Sequence, residues 1–81
     1  MSDIQLSDQA KSLKLGFYEH YKKKQYEVLG VAVHSETLEE LVVYKALYGE
    51  GLTWVRPFAM FTENVTVDGV EQPRFRYVEE N

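Results

Sequence analysis

The sequence predicts a mainly β fold: a small, strongly bent antiparallel sheet or a partly open SH3-like barrel of about five or six short strands, with a short N-terminal helical turn or tail. Three observations predict it. Runs rich in Val, Tyr, Phe and Thr recur at strand length, and such side chains pack well on a pleated surface. Turn signals separate these runs, the strongest being Asp68-Gly69. The one longer stretch with helical periodicity, Leu41 to Tyr48, carries a competing strand signal.

Taken in order, residues 1–15 are polar, and Ser7 caps a short helix through Leu13 with Leu6, Ala10 and Leu13 as its apolar side. Gly16 to Tyr21 is short and aromatic and reads as a strand. Lys22 to Gln25 is the turn of a hairpin, followed by a longer strand over Tyr26 to His34. Strict alternation places Tyr26, Val28, Ala32 and His34 on one face and Glu27, Leu29, Val31 and Val33 on the other. Gly30, in the middle, marks a bulge or a barrel bend.

Leu41 to Tyr48 is read as a central strand paired with Tyr26 to His34. Thr37 and Glu40 match a helix capping box, but the run Val42-Val43-Tyr44 loses side-chain freedom in a helix. Leu52 to Arg56 is a strand stopped by Pro57, and Phe58 to Phe61 forms one helical turn after it. Val65 to Val67 and Val70 to Glu71 flank the Asp68-Gly69 turn, and Arg74 to Val78 is the last strand. The expected organisation is a tail over 1–15, one β-rich domain over 16–78 and a C-terminal tail over 79–81.

Composition narrows the function classes. The 81 residues leave room for one core, and 44% apolar with 14% aromatic content supplies it. The absence of cysteine removes disulfides, thiolate catalysis and cysteine-ligated zinc. No signal peptide or run of membrane-spanning length is visible, so a cytoplasmic location is expected, with no membrane partner. A net charge of −4 argues against nucleic acid, whose binding draws most of its affinity from cationic contacts with phosphate.

Four constellations bear on chemistry. His34-Ser35-Glu36-Thr37 sets a base, two hydroxyls and a carboxylate side by side, although strand neighbours point to opposite faces and no oxyanion signature accompanies them. The alternative is a strand-to-loop junction whose side chains bond local amides. His20, His34 and Glu36 are a ligand set that a metal-assisted hydrolase would use, but their spacing does not require a metal, and no metal or other cofactor is expected. Lys22, Lys23 and Lys24 beside Tyr18, Tyr21 and Tyr26 superficially resemble a nucleic-acid tip. Trp54 and Arg56 share a strand face, where a guanidinium pins an anion beside an aromatic wall; the alternative is a core Trp54 with Arg56 paired to a glutamate.

The stretch from Gly16 to Phe75 closely resembles a family of small bacterial proteins, domain of unknown function 1653. The resemblance is carried by Gly16, Tyr18 and His20 to Lys22; by Tyr26, Val28 to Gly30 and Ala32; and by His34 to Thr37. It continues through Val42 to Tyr44, Leu47 to Gly49, Trp54 to Pro57, Met60, Phe61 and Pro73 to Phe75. One departure is Lys23, where the family favours glycine, so a different turn type is expected there. The resemblance implies a bacterial, cytoplasmic, single-domain protein and supplies no substrate.

The family motif overlaps the polar and aromatic set Tyr18, His20, His34, Ser35, Glu36, Thr37, Trp54 and Arg56, which is the candidate ligand-binding site. The expected function is a non-enzymatic module, monomeric or weakly dimeric, that binds a peptide, another protein or a small anionic or polar ligand in a polar-aromatic groove. The hydrolase built on His20, His34 and Glu36 is the alternative, and nucleic-acid binding through Lys22 to Lys24 is third.

Overall fold

A computed structural model describes residues 5–79. The far ends of both expected tails, 1–4 and 80–81, lie outside the described residues. Helix α1 (Asp8–Lys11) is followed by β1 (Gly16–His20), β2 (Gln25–Val33), β3 (Glu40–Ala46) and β4 (Thr53–Pro57), then by α2 (Phe58–Phe61), β5 (Asn64–Val67), β6 (Val70–Pro73) and β7 (Phe75–Glu79). One antiparallel sheet of 5 strands runs in the order β4-β3-β2-β1-β7, and β5 and β6 form a separate ribbon of 2 strands. The large sheet is not closed, so of the two β architectures the sequence left open it is an open antiparallel sheet.

Leu41 to Ala46 lies inside β3, between β2 and β4, as the Val42-Val43-Tyr44 run predicts. The strand ends at Ala46, and Leu47 and Tyr48 turn the chain toward β4. At the other end of the chain, the Ser7 hydroxyl accepts from the Ala10 amide at 3.1 Å, capping α1, and Ala10 is buried. Glu40, at the start of β3, accepts from both the backbone and the hydroxyl of Ser7 and so ties the helix to the sheet.

The β2 register departs from strict alternation. It shifts between Val28 and Gly30, after which Val31 faces Val42 and Ala32 faces Leu41. Directly opposed residues share a face, so Val31 and Val33 join Tyr26 and Val28 on the inner face, and Ala32 turns outward. The bulge inserts one residue, and a slip of one residue exchanges the faces of everything beyond it. Gly30 signalled the bulge, but simple alternation carried the wrong phase past it.

The turn between β1 and β2 is also informative. Lys23 donates its amide to the His20 carbonyl at 2.7 Å, and the His20 amide donates to the Lys24 carbonyl at 2.7 Å. Lys23 has φ 72°, the left-handed conformation that a three-residue hairpin loop ordinarily gives to glycine. A lysine with a Cβ thus holds the left-handed position of this loop. Asp68 and Gly69, at φ 53° and 78°, form the β5–β6 turn where the sequence places it.

The core lies on the inner face and comprises Tyr18, Val28, Val42, Tyr44, Phe61 and Phe75, with Leu13, Tyr26, Phe58 and Tyr77 packed around it. Phe75 is its hub. Its ring stacks on Phe61 at 4.2 Å and meets Tyr26, Tyr44 and His20 edge-on at 5.5, 5.5 and 4.9 Å. Helix α2 supplies Phe61 as the lid over these rings. Not every ring is core, however, because Trp54 is 49% and Tyr48 42% exposed.

Candidate functional site

Strand register decides which polar groups meet. On β4, Trp54 faces Tyr44 and Arg56 faces Val42, so both belong to the inner, aromatic face. On β1, Tyr18 faces Tyr26 and Tyr77, and His20 faces Phe75, so these join the same face from the other side of the sheet. Tyr18, His20, Trp54 and Arg56 are thereby brought onto one surface. Tyr26, Tyr44, Tyr48, Arg74 and Phe75 complete it; sequence reasoning left them out because each has an ordinary strand or turn pattern of its own.

Arg56 is half-buried on this surface. Its Nε donates to the Tyr44 hydroxyl at 3.2 Å, and the guanidinium lies 5.6 Å from the centre of the Phe75 ring. Arg74 pairs with Glu63 and Arg76 with Glu19, whereas among the described residues Arg56 pairs with no carboxylate. Neither a buried Trp54 nor a glutamate-paired Arg56 is what the fold contains. The remaining guanidinium N–H groups form a planar fork suited to an oxyanion.

His20 stands in a cationic setting. Burial pushes its pKa below the usual histidine value, and Arg56, Arg74 and Lys22 push in the same direction. Its Nδ1 accepts from the Lys22 amide at 3.1 Å, which leaves the neutral ring's proton on Nε2. Tyr26 and Tyr48 share a hydroxyl–hydroxyl hydrogen bond. Burial, and then the bond to Tyr48, push the Tyr26 phenol up to about 12. The Tyr26 hydroxyl therefore remains protonated at neutral pH. Among the described residues no enclosed pocket opens beside these groups, so the site is an exposed surface and not a cleft.

The His34 turn lies elsewhere. His34 follows the end of β2, whereas His20 sits beside its start, and β2, 9 residues at about 3.3 Å each, separates them by roughly 30 Å of strand. His34 Nδ1 accepts from the amides of Glu36 and Thr37 at 3.1 and 3.2 Å, and the Thr37 hydroxyl accepts from the Glu39 amide at 3.2 Å. The His34 amide also donates to the Glu39 carbonyl at 2.8 Å. His34 and Thr37 thus fix the loop between β2 and β3. The Ser35 and Glu36 side chains are exposed and bond nothing among the described residues.

A single reaction centre or metal ion therefore does not join His20 to His34 and Glu36. Among the described residues no three His, Asp or Glu side chains cluster as metal ligands would. Lys22 and Lys24 lie over the rings of Tyr21 and Tyr48 at 5.8 and 4.9 Å, while Arg74 and Arg76 each pair with a glutamate. No helix among the described residues is long and apolar enough to cross a membrane.

Residues 16–77 match the family model described as protein of unknown function, DUF1653. A crystal structure of a protein belonging to DUF1653 from Bordetella bronchiseptica superposes with a TM-score of 0.82 at 38% identity, covering 89% of this chain and 95% of that one. No curated protein matches.

Proposed function

We propose, for a chain that belongs to the DUF1653 family of proteins of unknown function, that it is a binding module whose inner sheet face holds an anionic group at Arg56. One observation carries this reading: a half-buried guanidinium, fixed by Tyr44 and Phe75, keeps its outer N–H groups free of any carboxylate among the described residues. A charge placed so far into an aromatic surface is costly unless something pairs with it. Three further features support an anion as that partner. Arg74 and Lys22 add positive potential around His20; the Tyr26–Tyr48 pair offers a hydroxyl donor; and the exposed Trp54 indole provides a flat wall and an N–H. The open form of the face suits a chain segment or a small ligand held by one side more than a substrate enclosed for chemistry.

The test is an NMR titration of ¹⁵N-labelled protein with acetate and, separately, inorganic phosphate. The Arg56 Nε–H and Trp54 Nε1–H resonances should move together and saturably, and the response should vanish in Arg56→Gln. Shifts confined to Lys22–Lys24, or unchanged in Arg56→Gln, would overturn the reading.

A further inference from the structure

We infer that the occupant of this surface is an extended acidic peptide that adds a strand to the free edge of β4. The inference rests on the anionic-group reading of Arg56 and specifies what carries the anion. Strand order leaves β4 and β7 at the two edges of the large sheet. They are not equivalent. β7 bears Arg76 and Glu79, charges of the kind that discourage strand addition, whereas β4 exposes the uncharged side chains Thr53, Trp54 and Val55.

The hydrogen-bond phase of β4 defines the edge. The Ala46 amide donates to the Leu52 carbonyl at 2.9 Å, in the same register that pairs Tyr44 with Trp54 and Val42 with Arg56. In an antiparallel ladder bonded pairs alternate with unbonded ones. Leu52, Trp54 and Arg56 therefore bond inward to β3, while the N–H and C=O groups of Thr53 and Val55 point outward; the Pro57 carbonyl belongs to the N-cap of α2. Proline falls on an outward position, the one place in a sheet where its missing N–H breaks no ladder bond. The free edge thus offers two amide donors and two carbonyl acceptors, from Thr53 and Val55, and Val55 is 56% exposed.

An antiparallel peptide centred on Val55 places one residue beside Arg56, the next beside Val55 and the third beside Trp54. The first and third share the inner face with Arg56 and Trp54, and the middle one lies on the outer face with Val55. Charge complementarity makes the first a glutamate, long enough to reach a guanidinium that leans toward Tyr44. A β-branched residue suits the position beside Val55, and an aromatic residue suits the indole. Backbone bonds supply affinity and the Arg56 pair supplies selectivity, as in other cases of strand addition.

The probe is the capped peptide acetyl-Thr-Glu-Val-Phe-Thr-amide, measured by calorimetry and NMR against the intact chain. Binding should weaken about tenfold or more when its glutamate is changed to glutamine or Arg56 to Gln, as expected for one lost charge-assisted pair. Val55→Pro removes an outward N–H that bonds nothing in β3, so it should leave the fold intact and abolish binding. If that variant fails to fold, N-methylation of the peptide valine should abolish binding, and N-methylation of its glutamate or phenylalanine should not. Binding that needs Arg56 but tolerates both Val55→Pro and the methylated valine would overturn strand addition and leave the anion site standing. Loss of every Arg56-dependent response, acetate and phosphate included, would overturn both. Self-association that Val55→Pro abolishes, with no peptide bound, would assign the edge to a second copy of this chain and also overturn the proposal.

Discussion

Replacing Lys23 by glycine should stabilise the protein, an unusual direction for a lysine-to-glycine change. Lys23 is exposed and its φ of 72° places it in the left-handed region. An L-residue with a Cβ there carries roughly 1–2 kcal/mol of strain, which glycine does not. Against this, glycine gives the unfolded chain additional freedom, worth about 0.4–1 kcal/mol. The difference is a net gain of about 0.5–1 kcal/mol, or a rise in Tm of about 2–8 °C for a domain of this size. Lys24→Gly is the internal control. It makes the same chemical change one residue on, at a position with no positive φ, and removes the Lys24 ammonium from the Tyr48 ring, so it should lose about 0.5–1 kcal/mol or more. Urea denaturation of the parent and both variants, with equal m-values as the check on two-state behaviour, measures the gap. Equal destabilisation by the two substitutions would refute the reasoning, because the left-handed geometry would then carry no strain.

Three further outcomes follow from the same structure. Phe75→Ala removes the ring on which Phe61, Tyr26, Tyr44 and His20 converge and should cost about 3–5 kcal/mol, a large fraction of a small domain's stability, read as a collapse of the urea midpoint. Ser7→Ala removes the α1 cap and one of the two bonds to Glu40, so it should cost about 1 kcal/mol and speed amide exchange at Ala10. The lowered pKa of His20 means that the unfolded chain takes up a proton first; stability should therefore fall as pH drops below the ordinary value of 6.5 toward the folded value, and His20→Gln should flatten that slope in a series of thermal melts. A stability profile between pH 7 and 5 that is the same in both proteins would remove His20 from the account.

Much of the fold was legible because its signals are local. Val42-Val43-Tyr44 disfavours helix by side-chain entropy alone, Asp68-Gly69 specifies its turn by backbone sterics, and Ser7 caps α1 through an amide 3 residues away. The candidate site was legible in part. Trp54 and Arg56 were marked by alternation, and the Tyr18–His20 strand by its aromatic content. His34 to Thr37 was marked for the same polar richness but closes its own loop, a distinction that no residue type conveys.

By itself, then, the sequence determined the class of fold, most of the strands, the turns and the family. Tertiary structure decided the rest, because it depends on groups far apart in the chain. A bulge of one residue in β2 chose which valines face the core. The return of β7 beside β1 set Phe75 against His20, across more than 50 intervening positions, and brought its ring under Arg56. The length of β2 then set the two histidines at opposite ends of the sheet, since residues close in sequence pattern become neighbours only where register and strand order allow it.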